Sequence, residues 1–261
     1  MERLANLRGI ISSGCNIFLV VFNFLTMAVA GFILWAGFAL ASGNTYCVQS
    51  ISTPMISIGF ILLVVSILGL IGSCCRINTL LAVYLVILFL VTVSLVVFTV
   101  FAIVVASKGS TSKDGKLSLD NYSNWLQKKV QSNKNWFKIK ACLQESELCL
   151  VLSKKSNMTE YQLFHSKLSS IQDGCCNPSK ECGFTYVRPT MWNTIDGNFS
   201  NPDCKKWSNN PKELCYNCES CKVGFLKDTR ISWLTIVKSN AFFITFLFVL
   251  FVAGFIAFKR N

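Results

Sequence analysis

Between Gly9 and Ser107 the only charged residue is Arg76. A soluble fold spaces charged side chains along its exposed faces, so a stretch this long and this bare belongs in another solvent. An apolar run of about 20 residues crosses about 30 Å of hydrocarbon as a helix, which satisfies its own backbone groups. Residues 15–41, 54–73 and 79–106 fit that description, and so do residues 239–258, which carry FFITFLFVLFVAGFIAF. Trp233 and Lys238 stand before the fourth run as interface anchors. The expected fold class is a membrane all-α protein with four transmembrane helices, in keeping with a mean hydropathy of +0.48 and only 15% charged residues. Ala39-Leu40-Ala41 has the spacing of a signal-peptide cleavage site, but a signal h-region runs only about 7–15 residues, so the longer run is read as a span.

Short loops set the expected orientation. Arg3 and Arg8 precede the first span, Arg76 lies in the tight turn 74–78, and Lys259 and Arg260 follow the last span. The positive-inside rule places residues 1–14, 74–78 and 259–261 in the cytoplasm, leaving a small loop, 42–53, and a large one, 107–238, outside. The large loop holds most of the +12 net charge, which is compatible with the rule because long domains translocate largely regardless of charge. Its lysines are scattered among acids, as on a solvated surface, and no nucleic-acid partner is expected.

The stretch LCYNCESCKVGF places Cys215, Cys218 and Cys221 at two successive C-x-x-C spacings, which could serve zinc, redox chemistry or disulfides. The compartment decides. Nine of the thirteen cysteines lie in the large loop: Cys142, Cys149, Cys175, Cys176, Cys182, Cys204, Cys215, Cys218 and Cys221, with Cys47 a tenth on the same side. Three N-x-S/T triplets, at Asn121, Asn157 and Asn198, are candidate N-glycosylation sites, whereas Pro178 disqualifies Asn177. An oxidising exterior follows, with these cysteines as bridge partners and no metal or other cofactor. Adjacent cysteines hardly bond to each other, so Cys175 and Cys176 are expected to reach separate partners in the 204–221 region, one of them in the cluster before span four.

Leu119, Tyr122, Leu126 and Val130 recur at helical spacing, as do Tyr161, Phe164, Leu168 and Ile171; Thr159-x-x-Gln162 opens the second helix as a capping box and Gly174 is read as its end. Residues 177–212, rich in Pro, Asn and Cys, read as an irregular, disulfide-held lobe. His165, the only histidine, is read as structural.

In the spans, Asn16, Asn23, Ala30 and Gly37 repeat every seven residues, as do Ser52, Gly59, Ser66 and Ser73. Small residues at that period let two helices approach closely, and the asparagine amides can bond across the contact. Asn16, Asn23, Gly37, Gly59 and Ser66 are the candidate packing residues. The absence of Asp, Glu, Lys and Arg from the spans argues against pumps, proton-coupled transporters and voltage sensors. Cys15, Cys74 and Cys75 sit at the inner boundary, where S-palmitoylation is expected.

Four spans, a small and then a large outer loop, GLIGSCCR at 69–76 and GCCNPSKECGFTY at 174–186 together resemble the tetraspanin family over the whole chain. The order Gly-Cys-Cys, with Pro178 following, is similar to the plant members, although Asn177 stands where these carry a basic residue. The resemblance implies a non-enzymatic organiser in the plasma membrane. It would assemble with other tetraspanins, with client membrane proteins and with lipids in microdomains, and plant members are linked to cell differentiation and development. A claudin-like protein would have its large outer loop first. A small-molecule or lipid conduit using a cavity between the spans is the competing expectation; an enzyme lacks a defensible nucleophile and base.

Overall fold

In a computed structural model the chain is described at residues 2–43, 46–75, 77–107, 118–155 and 157–260, with side chains at 2–16, 46, 49–51 and 260 outside the description. It divides into two compact units, Met1–Val100 with Lys238–Asn261, and Phe101–Val237. The fold is mostly helical, with four long apolar helices and a disulfide-rich helical segment between the third and fourth.

The long helices are α1 (Glu2–Ala41), α2 (Tyr46–Cys74), α3 (Asn78–Ser107) and, later in the chain, α9 (Glu219–Arg260). They overrun the spans expected from hydropathy. Helix α2 starts ahead of Pro54, which lies inside it; a proline is tolerated in an apolar membrane helix because neighbours can re-satisfy the freed backbone. Helix α9 begins well before residue 239, because its first half is amphipathic and buries Cys221, Val223 and Leu226. Hydroxyls in the spans fold back on their own helices, Thr26 onto Phe22 O at 2.9 Å, Ser66 onto Leu62 O at 2.7 Å and Thr92 onto Leu88 O at 2.8 Å. Each of these three hydroxyls is thereby satisfied without water, whereas the buried hydroxyl of Ser73 meets no partner.

Helix α1 runs along α2, and the two seven-residue registers are the reason. Asn23, Ala30, Gly37, Ser52, Gly59, Ser66 and Ser73 are all buried. A methyl group on Gly37 would sit 2.8 Å from Ile56 Cγ1, and one on Gly59 2.9 Å from Leu34 Cγ, so hydrogen at both positions sets the separation of the helices. The amide of Asn23 turns elsewhere than expected. Its Nδ2 donates to Leu19 O at 2.8 Å on its own helix and reaches the Tyr84 hydroxyl of α3 at 3.5 Å, while Gly69 of α2 lies against its flank. Tyr84 supplies a hydroxyl partner on α3, whereas α2 presents to the amide Gly69, which has no side chain. Leu19, Leu81, Leu88, Leu250 and Ala253 complete the apolar centre of this unit.

In the second unit, Leu119, Tyr122, Leu126 and Val130 are buried at the expected spacing, but the backbone is broken. A 3-10 turn, Leu119–Asn121, precedes α4 (Asn124–Gln131), and Ser132 ends α4 and opens α5 (Asn133–Glu145). Helices α6 (Leu148–Ser153), α7 (Glu160–His165) and α8 (Ser170–Cys176) follow. The reading of one helix from Thr159 to Gly174 is corrected: a second capping box, Ser169 with Gln172, starts α8 separately, and Gly174 lies inside it. The lobe after α8 contains a hairpin that its composition concealed, β1 (Thr185–Arg188) and β2 (Met191–Asn193), antiparallel with Tyr186 opposite Trp192. Pro189 and Thr190 make the turn, and Thr190 takes the left-handed conformation, φ 66°, as the third residue of a turn that follows proline does.

Candidate functional site

The site is built on the seam between α8 and α9. Gly174 and Gly224 let the two backbones touch: a methyl group on Gly174 would collide with Ser220 O, and one on Gly224 with Ser170 O. The bridge Cys175–Cys221 closes the seam covalently, and Cys215 N donates to Cys175 O at 3.1 Å. Cys175 therefore reaches the cluster before the fourth span, as expected. Cys176 does not reach the 204–221 region. It bonds to Cys149 of α6, because consecutive residues of a helix point about 100° apart and α6 lies on the side that Cys176 faces. Cys182–Cys204 pins the lobe, and the C-x-x-C pair Cys215–Cys218 bonds to itself. Cys47 and Cys142 are also disulfide-bonded. Among the described residues no group of His, Cys, Asp or Glu is placed to hold a metal ion.

Three charged side chains cap helices to which they do not belong. Both carboxylate oxygens of Asp203, which is buried, accept from the first amides of α9, Glu219 N and Ser220 N, each at 2.9 Å. Asp228, two turns into α9, accepts from Ser170 N at 3.2 Å and Ile171 N at 3.1 Å, the first amides of α8. Arg230 Nε donates to Ala106 O at 2.8 Å, among the last carbonyls of α3. Anions at helix starts and a cation at a helix end each match the orphaned groups and the dipole found there. Sequence reading missed all three, since their partners lie 16 or more residues away.

The lobe presents its own side chains on this frame. Asn209 accepts from Trp192 N at 3.0 Å and donates to Trp192 O at 2.9 Å, so its amide takes the place of a third strand beside β2. Tyr186 and Trp192 meet edge to face at 5.2 Å. Tyr161, Val187, Met191 and Ile195 remain exposed. A cleft of about 880 Å³ runs past Leu163, Ser170, Asn177, Asn201, Asp203 and Lys227. Asn177, where the resemblance leads one to expect a basic side chain, is buried, and neither atom of its amide meets a hydrogen-bond partner. His165 stacks on Tyr161 at 3.9 Å and hydrogen-bonds through Nδ1 with Tyr161 O, a local contact on α7.

Burial raises the phenol pKa of Tyr216. At Tyr122 burial also dominates, Arg230 opposing it and Asp228 adding to it. At Tyr186 burial acts with the nearby Glu160 carboxylate.

The remaining candidates are dispersed. Cys74 and Cys75 are exposed free thiols at the end of α2. The side chains of Cys15 and Asn16, and Arg76 altogether, lie outside the described residues. Asn157 and Asn198 are exposed, while Asn121 is half-buried and followed by buried Tyr122 and Ser123.

The Tetraspanin family profile matches residues 15–260 of the chain. Tetraspanin-8 of Arabidopsis thaliana is 41% identical over 92% of this chain and 91% of its own length, and Tetraspanin-7 of the same plant 39% over 94% and 96%. Protein TORNADO 2 of Arabidopsis thaliana is 33% identical over 91% of this chain and 90% of its own length. No solved structure matches the chain.

Proposed function

The chain belongs to the tetraspanin family, which is non-enzymatic, and is a multi-pass membrane protein; on that premise we propose that it is a membrane scaffold. It gathers other tetraspanins and client membrane proteins into lipid microdomains of the plasma membrane, in the service of cell differentiation and development. The observation that carries this reading is the stapled lobe. Bridges and cross-helix caps hold its frame, so the exposed side chains between residues 184 and 200 can change without unfolding it, as a client-choosing surface requires. Exposed Tyr161, Val187, Met191 and Ile195 supply anchor chemistry for such contacts.

Residues 1–14, 74–78 and 259–261 are cytoplasmic in this reading, and the disulfide-bonded segment is extracellular and N-glycosylated. Cys74 and Cys75, with Cys15, carry acyl chains that select the lipid surroundings; four spans already anchor the protein, so acylation changes its lateral company and not its attachment.

The test is co-purification in mild detergent from the native cell, comparing the wild type with two variants. Replacing residues 184–200 by the corresponding segment of another family member should exchange clients. Cys74→Ser with Cys75→Ser should thin the set of co-purifying membrane proteins at unchanged membrane content. An unchanged set in both variants would sink the scaffold reading.

A further inference from the structure

Helix α4 carries two faces. Leu126 and Val130 are buried, four residues apart, whereas Trp125, Lys128 and Lys129 are exposed at positions i, i+3 and i+4 of the opposite face. The helix, NWLQKKVQ, contains no acidic residue. Its indole is not simply an exposed apolar group. Trp125 meets Phe101 edge to face at 5.5 Å and Trp233 at 5.9 Å, and Phe101 and Trp233 lie 6.1 Å apart, so one ring cluster joins α3, α4 and α9. Lys129 Nζ stands 5.3 Å from the centre of the Trp125 ring.

Phe101 fixes the level of this cluster. It lies within the apolar run of α3, six residues before the helix ends at Ser107, and that run is long enough to cross a bilayer. An indole held against such a residue stands where hydrocarbon gives way to headgroups, the depth that tryptophan prefers because its body is apolar and its N–H is polar. Ammonium groups one turn further along the same face then meet the layer of lipid phosphates.

We propose that the exposed face of α4, formed by Trp125, Lys128 and Lys129, is a lipid-docking surface. It rests on the headgroup layer of the leaflet that α3 leaves, the indole at the hydrocarbon boundary and the two ammoniums on the headgroup phosphates. Charge complementarity selects this occupant: a face with two cations and no carboxylate on its own helix suits a phosphate layer, and the ring cluster already ties it to a membrane-spanning helix. The contact orders the first helix of the disulfide-bonded segment against the bilayer without any protein client.

The full chain in nanodiscs of phosphatidylcholine and phosphatidylserine provides the test. The fluorescence of Trp125 is isolated as the difference between the wild type and Trp125→Phe. Lipid brominated next to the headgroup should quench it more than lipid brominated at the chain ends, and iodide in the aqueous phase should quench it least. Lys128→Gln and Lys129→Gln, with an unchanged disulfide map as the check on folding, should each lower the preference of the bound lipid shell for phosphatidylserine by about fivefold, with high salt reproducing the loss. Strong iodide quenching, protection from both quenchers as by a second copy or another protein, or a lipid preference indifferent to both lysines would overturn the proposal.

Discussion

The Ser220 hydroxyl donates to Gly174 O across 3.0 Å, at the place where α8 and α9 touch backbone to backbone. The hydrogen bond, the Cys175–Cys221 bridge one residue further along both helices, and the Asp228 cap together make this seam the most constrained point of the disulfide-bonded segment. A methyl group placed there has only main-chain atoms to push against, and these cannot rotate away. Gly174→Ala and Gly224→Ala should each destabilise the segment by about 3 kcal/mol, as overpacking of a tight contact does. Thermal unfolding of the purified protein in detergent, followed by near-ultraviolet circular dichroism, would show it. A shift indistinguishable from that of alanine at Gly197, where a methyl meets only the Phe199 ring at 3.8 Å, would contradict the account.

Peptide mapping without reduction should recover Cys149–Cys176, Cys175–Cys221, Cys182–Cys204 and Cys215–Cys218 as linked pairs, and no zinc in stoichiometric amount. Removing Cys149–Cys176 or Cys175–Cys221 by paired serine substitution should cost about 3 kcal/mol each, since they close loops of 27 and 46 residues. Retention in the secretory pathway, measured by surface biotinylation, is the expected cellular result. Recovery of Cys176 linked to a cysteine of the 204–221 region would overturn the pairing.

Glycan occupancy should follow exposure. Asn157 and Asn198 stand free for a glycan, whereas Asn121 is half-buried beside two buried residues of its own triplet. Mass spectrometry after enzymatic deglycosylation in labelled water should mark Asn157 and Asn198 and leave Asn121 unmarked. Full occupancy of Asn121 would mean that residues 119–123 adopt another arrangement when the glycan is added.

The tyrosines predict a limit at alkaline pH. Tyr122, Tyr186 and Tyr216 have pKa values raised above their ordinary 10.0, chiefly by burial. A raised folded-state pKa means that the neutral form is favoured in the folded state. The associated stability is complete below about pH 10 and is lost as pH rises through the higher folded values. Denaturant titrations should therefore show a midpoint that is flat as pH approaches 10 and falls above it, and Tyr216→Phe should soften the fall. An unchanged slope in that variant would remove Tyr216 from the explanation.

Periodicity and composition sufficed wherever one residue's environment decides its place. The charge-free run around Arg76 required membrane helices because hydrocarbon tolerates little else, and the seven-residue spacing of Gly37 and Gly59 marked the face on which α1 meets α2. Leu119, Tyr122, Leu126 and Val130 were legible as core positions even though the helix through them is broken, since burial depends on side-chain direction more than on backbone continuity. The Ser169-x-x-Gln172 box was present in the sequence and was masked by the apolar period running across it. What only tertiary structure decided involves partners distant in the chain. Nothing local to Cys176 distinguishes Cys149 from Cys204, nothing near Asp203 or Asp228 announces the helix each one caps, and Gly174 reads as a helix end until Ser220 is seen against it. A pairing is a property of two positions at once, and it is settled by which backbones the whole fold brings within reach of each other.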